Sequence, residues 1–85
     1  MTRSMAVEFA PAKIRVNAIA PSVTLTERVK KLLAGDANIE KQAERHLLGL
    51  GEPAHVADLA LYLASDESSI TTGQVIPVDS GITIS

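Results

Sequence analysis

Apolar positions recur along this chain with two different periods. In residues 2–10, Met5 and Phe9 stand four apart with Ala6 beside them, one stripe at helical spacing. Met1 falls on the stripe side and Thr2 is the single candidate cap. Pro11 closes the helix, because the residue before a proline avoids the helical region. Over 14–20 the period drops to two. Ile14, Val16, Ala18 and Ala20 share one face and Arg15, Asn17 and Ile19 the other, which predicts a strand stopped by Pro21.

The helical period returns at 24–34, in Val29, Leu32 and Leu33. Thr24 and Glu27 have the spacing of a capping box, and Gly35 supplies the stop. A shorter amphipathic stretch covers 38–47, with Ile39, Ala43 and Leu47 on one side and Glu40, Lys41, Glu44 and Arg45 around the rest. The two pieces read as a helical flap.

Residues 53–64 give the strongest helix. Pro53 suits its first position, and Glu52 complements its positive end. Val56, Ala57, Leu59, Ala60, Leu61, Leu63 and Ala64 cover more than half its circumference. Such a helix requires burial on two sides. A polar turn, 65–69, leads through Gly73 to a second strand at 74–79, where Pro77 argues for an edge. A long helical crossover between two strands fits a parallel pair in an α/β sheet. Two parallel strands alone make a poor domain, since such sheets are normally larger and covered on both faces.

Composition narrows the functional classes. The 85 residues allow one small domain or a piece of a larger one. A chain of this length buries only about 60% of its unfolded surface. Cysteine is absent, which excludes disulfides and thiol chemistry. Eight basic and ten acidic residues give a net charge of −2, and the aromatics are Phe9 and Tyr62 alone. A nucleic-acid surface of basic grooves and stacking rings is not expected. No run approaches the roughly 20 apolar residues of a membrane helix. Arg3 and Glu8 interrupt any signal-peptide core, so a soluble, cytoplasmic protein is expected.

Several short motifs stand in order. Ala6-Val7-Glu8 lies on the first helix. I-R-V-N-x-I-x-P follows at 14–21, with Thr26 five residues after Pro21. Then come Gly51-Glu52-Pro53, L-A-S-D-x-S-S-x-x-T-G at 63–73 and V-D-x-G at 78–81. Together they resemble the C-terminal part of short-chain dehydrogenases/reductases, 3-oxoacyl reductases among them, over nearly the whole chain. That resemblance implies a Rossmann-type parallel sheet and hydride transfer between NAD or NADP and a small carbonyl or alcohol substrate. It also implies that residues 1–85 are the C-terminal portion of one such domain.

The family's catalytic Ser and Tyr-x-x-x-Lys are not found in these residues. Tyr62 is followed four residues later by Asp66, and it sits on the apolar helix. No catalytic residue is therefore assigned, and the chain is expected to begin just past the catalytic motif. Gly49 and Gly51 form a G-x-G with no predicted strand ahead, so they are read as loop and helix-start residues and not as a phosphate cradle.

By resemblance, Pro21, Ser22, Val23, Thr24 and Thr26 are the cofactor-binding segment, with backbone at Thr24 and hydroxyl at Thr26 toward the nicotinamide side. The chain departs from the family at Ser22, which replaces a common Gly, at Thr24, which replaces Ile or Val, and at Ser80, which replaces the first Gly of V-D-G-G. Asn17 and Arg15 are expected to make structural hydrogen bonds and surface pairs. His46 and His55 are expected on solvated helix surfaces, and no metal site is assigned. Leu25, Val29, Leu32 and Leu33 either line a substrate pocket or pack the flap down. The 53–64 helix and 74–79 strand correspond to a homo-oligomer surface. The alternative is a non-catalytic interaction module that associates through the 53–64 helix.

Overall fold

The computed structural model describes residues 1–33 and 35–84. Helix α1 runs Thr2–Phe9 and passes into a short 3-10 turn, Ala10–Ala12, around Pro11. Ala6, at the centre of the expected stripe, is the buried apolar residue of this helix, whereas Met1 is 95% exposed. Thr2 does not cap it; Met1 holds that place without a side-chain bond.

Strand β1 is Ala18–Pro21 and β2 is Val75–Val78, paired in parallel with Ala18 opposite Val75 and Pro21 opposite Val78. The expected parallel pair is present, but β1 is shorter than 14–20 and shifted. Residues 14–17 lie beside a turn, where Gly73 has φ 72°, so no ladder forms there. They are held instead by Gly73 N–H to the Val16 carbonyl, 2.8 Å, and by Val16 N–H to the Thr72 hydroxyl, 3.0 Å.

Pro21 belongs to β1 and does not stop it. Ala18 N–H donates to the Gln74 carbonyl at 2.8 Å and Ser22 N–H to the Val78 carbonyl at 3.3 Å. The alternation of donors puts the nitrogen of Pro21 on the opposite edge, where no ladder bond to β2 is lost. The same alternation puts the Pro77 nitrogen on the outer edge of β2, as the edge expectation required.

Between the strands, α2 spans Glu27–Leu33, α3 Ala37–Glu44 and α4 Pro53–Ala64. Asp36 caps α3, its carboxylate accepting from the Asn38 and Ile39 N–H groups at 2.9 and 3.4 Å. Helix α4 matches its predicted bounds. Its face toward β1 carries Val56, Leu59 and Leu63, all half-buried; Leu61 and Tyr62 stand 72% and 43% exposed on the other side.

The expected capping box at Thr24 and Glu27 is not formed. Thr24 makes a parallel bridge with Gly51, and Leu25 N–H donates to the Gly51 carbonyl at 2.6 Å. Backbone committed to that bridge is not helical, so α2 starts two to three residues later. Its cap is Thr26, whose hydroxyl accepts from Val29 N–H at 3.2 Å.

Among the described residues Ala6 is the one fully buried apolar side chain. The radius of gyration is 15.6 Å and the long axis 50 Å. A compact domain of this length would have about 12 Å. The apolar faces of the elements are thus left largely open.

Candidate functional site

Ligands of open α/β sheets bind beyond the carboxyl ends of the strands. Here both strand ends point at one cluster of loops: Pro21–Thr26 after β1, Asp79–Ser80 after β2, and the 45–52 segment between α3 and α4. Pro21 is exposed, while Ser22, Val23 and Thr24 are half-buried. The Thr24 hydroxyl donates to the Ser22 carbonyl at 3.2 Å, and Thr26 N–H donates to the Thr24 carbonyl at 2.8 Å. The five predicted residues therefore form one tight, self-bonded turn.

They do not all face one space. Thr26 opens on a groove of about 430 Å³ with Leu25, Glu27, Lys30, Glu52 and Pro53. Ser22 lines a separate, half-open apolar cavity of about 260 Å³ with Leu48, Leu50, His55, Val78 and Ser80. Of the expected flap residues, Leu25 reaches the groove. Val29 and Leu33 are half-buried, and Leu32 is 41% exposed.

Sequence reasoning missed His46. It is not solvated: it is 5% exposed. Its Nε2 lies 2.8 Å from the Ser22 hydroxyl, and its Nδ1 contacts the Gln42 carbonyl. Its placement beside charged Glu44 and Arg45 gave no signal of burial. His55 is exposed as expected, but it works at the start of α4, where Nδ1 accepts the Glu52 N–H at 2.8 Å.

Arg15 and Asn17 make the structural bonds expected of them. Arg15 donates to the Leu63 carbonyl, the Ser65 carbonyl and the Ser68 hydroxyl at 2.9, 3.1 and 2.7 Å. Asn17 donates to the Thr71 carbonyl at 2.9 Å and accepts from Gln74 N–H at 3.2 Å. Asp79 accepts from Gly81 N–H and from the Thr83 hydroxyl, both at 3.0 Å, and these bonds hold its carboxyl below the usual carboxylate range. Among the described residues, no group of three or more His, Cys, Asp or Glu side chains is placed to hold a metal ion. Nor is any helix there long and apolar enough to cross a membrane.

The family model for enoyl-(acyl carrier protein) reductases matches residues 1–83. The 3-oxoacyl-[acyl-carrier-protein] reductase of Thermotoga maritima is 46% identical over 85 residues, 99% of this chain and 34% of that protein. The chain belongs to the short-chain dehydrogenase/reductase family. A second member of that family, the NAD-dependent glycerol dehydrogenase of Listeria innocua, is 43% identical over 84 residues, 99% of this chain and 33% of that protein. A 3-oxoacyl-[acyl-carrier protein] reductase from Brucella melitensis, solved with bound NAD, superposes with a TM-score of 0.81 at 40% identity, covering 99% of this chain and 29% of that one. The short-chain dehydrogenase/reductase fold is thus present in its α/β, Rossmann-type form. The chain spans about one third of the length of these relatives.

The donors of the turn after β1 fit a nicotinamide cofactor. Thr24 N–H has no acceptor among the described residues. The Thr26 hydroxyl accepts from Val29 N–H and so keeps its own proton for another acceptor. Two donors left without an acceptor among the described residues suit a carboxamide or a phosphate oxygen.

Proposed function

We propose that residues 1–85 form the C-terminal portion of one Rossmann-type domain of an NAD(P)-dependent oxidoreductase. In that reading Pro21, Ser22, Val23, Thr24 and Thr26 hold the nicotinamide side of the cofactor. Residues 25–48 cover a small carbonyl or alcohol substrate, and α4 with β2 forms a homo-oligomer surface. The observation that carries the reading is the turn at the carboxyl end of β1, with its two unsatisfied donors at Thr24 and Thr26. The cofactor would give hydride to a carbonyl or take it from an alcohol; this chain's own residues bind and orient. Thr24 offers its N–H, Thr26 its hydroxyl, and the β1 terminus fixes both relative to the sheet.

The test is a chimera in which residues 1–85 replace the matching third of the Thermotoga relative. NAD(P)H-dependent carbonyl reduction by the chimera is expected, with at least a several-fold rise in cofactor KM on Thr26→Val. A folded chimera that binds neither NAD(H) nor NADP(H) overturns the reading.

A second reading, a non-catalytic interaction module, is favoured by the exposed side of α4. Leu61 at 72% and Tyr62 at 43% exposure leave an apolar patch on the element with the highest apolar content. A monomer at high concentration in light scattering removes it; self-association abolished by Leu61→Glu, together with a folded chimera that binds no NAD(H) or NADP(H), supports it over the first.

A further inference from the structure

Three side chains converge where α3 hands over to α4. We propose that Ser22, His46 and Ser80 form a three-point clamp fastening the 46–48 segment to the carboxyl ends of both strands, with His46 the positioning residue for the turn Pro21–Thr26.

The chemistry of His46 sets the direction of its bonds. Nδ1 faces the Gln42 carbonyl, which can only accept, so Nδ1 carries the proton. In the neutral ring Nε2 is then a lone pair, and the Ser22 hydroxyl donates to it across 2.8 Å. A ring 5% exposed and bonded at both nitrogens has one orientation. It fixes the Ser22 rotamer in turn.

Ser80 provides the other jaw. Its carbonyl accepts from Leu47 N–H at 2.7 Å and its hydroxyl from Leu48 N–H at 2.6 Å. It does so from φ 52°, a left-handed conformation that side-chain-bearing residues seldom adopt. The next residue, Gly81, has φ 80°, and a Cβ there would lie 2.6 Å from Leu47 Cδ1. The chain therefore packs Leu47 directly on a glycine while holding its backbone through a strained serine.

Ser22 and Ser80 lie 58 residues apart and both act on one three-residue segment. Glycine at either position would supply no hydroxyl. The role of the clamp in presenting the turn to a cofactor rests on the functional reading above; the clamp itself does not.

Long-range proton–nitrogen correlation spectra of the unmodified chain should show His46 as the Nδ1–H tautomer. Hydrogen exchange should show protected Leu47 and Leu48 amides. Ser80→Gly should speed Leu48 exchange by about fivefold, the effect of one ordinary hydrogen bond, with less change at Leu47. Ser22→Gly should leave the Nδ1–H tautomer in place, since the Gln42 carbonyl sets it, but should shift the His46 Nε2 nitrogen resonance through loss of the hydroxyl that donates to it, and Ser22→Thr should restore that resonance. An Nε2–H tautomer in the unmodified chain, or Leu48 exchange indifferent to Ser80→Gly, overturns the clamp. A chimera with the Thermotoga relative that shows the clamp yet binds no nicotinamide cofactor keeps this proposal and loses the functional one.

Discussion

The guanidinium of Arg15 donates to the main-chain carbonyl of Leu63 across 2.9 Å, linking the approach to β1 with the last turn of α4. The last carbonyls of a helix have no partner inside it. Arg15 satisfies that of Leu63, then reaches the Ser65 carbonyl and the Ser68 hydroxyl. A planar fork serves several acceptors at once, which a single ammonium does not. The arrangement docks α4 on the sheet by its end as well as by its apolar face.

Arg15→Ala is expected to cost about 2 kcal/mol, the range for hydrogen bonds to a charged group. Arg15→Lys should recover less than half of that loss. Thermal unfolding followed by circular dichroism measures both. Equal stability of the Ala variant and the parent would show that the α4 end is held elsewhere.

Asn17→Leu removes a donor and an acceptor together and leaves the Thr71 carbonyl and Gln74 N–H unpaired. A loss of about 1–3 kcal/mol is expected. Asn17→Asp keeps the acceptor for Gln74 but faces the Thr71 carbonyl with negative charge, and should be at least as damaging at neutral pH. Denaturant midpoints of the three proteins decide between these expectations.

The carboxyl of Asp79 sits below its ordinary range, chiefly through the Gly81 N–H and then through the Thr83 hydroxyl. A carboxylate with a depressed value in the fold stabilises it at every pH above the unfolded value, about 3.9. That contribution fades as the pH falls from there through the folded value. The 79–83 turn should therefore loosen on acidification below about pH 4, and Asp79→Asn should flatten this dependence. Carboxyl chemical shifts against pH, with amide exchange at Gly81, report it.

Gly81→Ala puts a methyl within 2.6 Å of Leu47 Cδ1 and a side chain at φ 80°. A destabilisation of about 2 kcal/mol or more is expected, the backbone alone accounting for about 1–2 kcal/mol. Leu47→Ala in the same chain should relieve the steric part and not the backbone part. A double-mutant cycle with zero coupling energy would place the cost in the backbone entirely.

How much of this was legible depended on how local each signal was. Helix α4 was readable at both ends, because Pro53 and the polar Ser65-Asp66 sequence act within one turn. Ala6 was readable as the centre of a stripe. The start of β1 was not, since it depends on whether the partner at 71–74 is strand or turn, and Gly73 decides that far along the chain. Thr24 and Thr26 compete for one cap, and a bridge to Gly51 settled it in favour of Thr26. His46 looked solvated because the residues around it are charged; it is buried, and the hydroxyl on its Nε2 belongs to Ser22, 24 residues away. The cofactor turn was placed by family likeness, and its donors became visible only with the bonds around it.

The two prolines of the sheet also shape what the strands do with strangers. Each faces its missing N–H outward, so neither exposed rim presents an unbroken donor row to an incoming chain. An isolated parallel pair would otherwise be an invitation to fibril-like stacking. Here that growth meets a gap at Pro77 on one side and at Pro21 on the other.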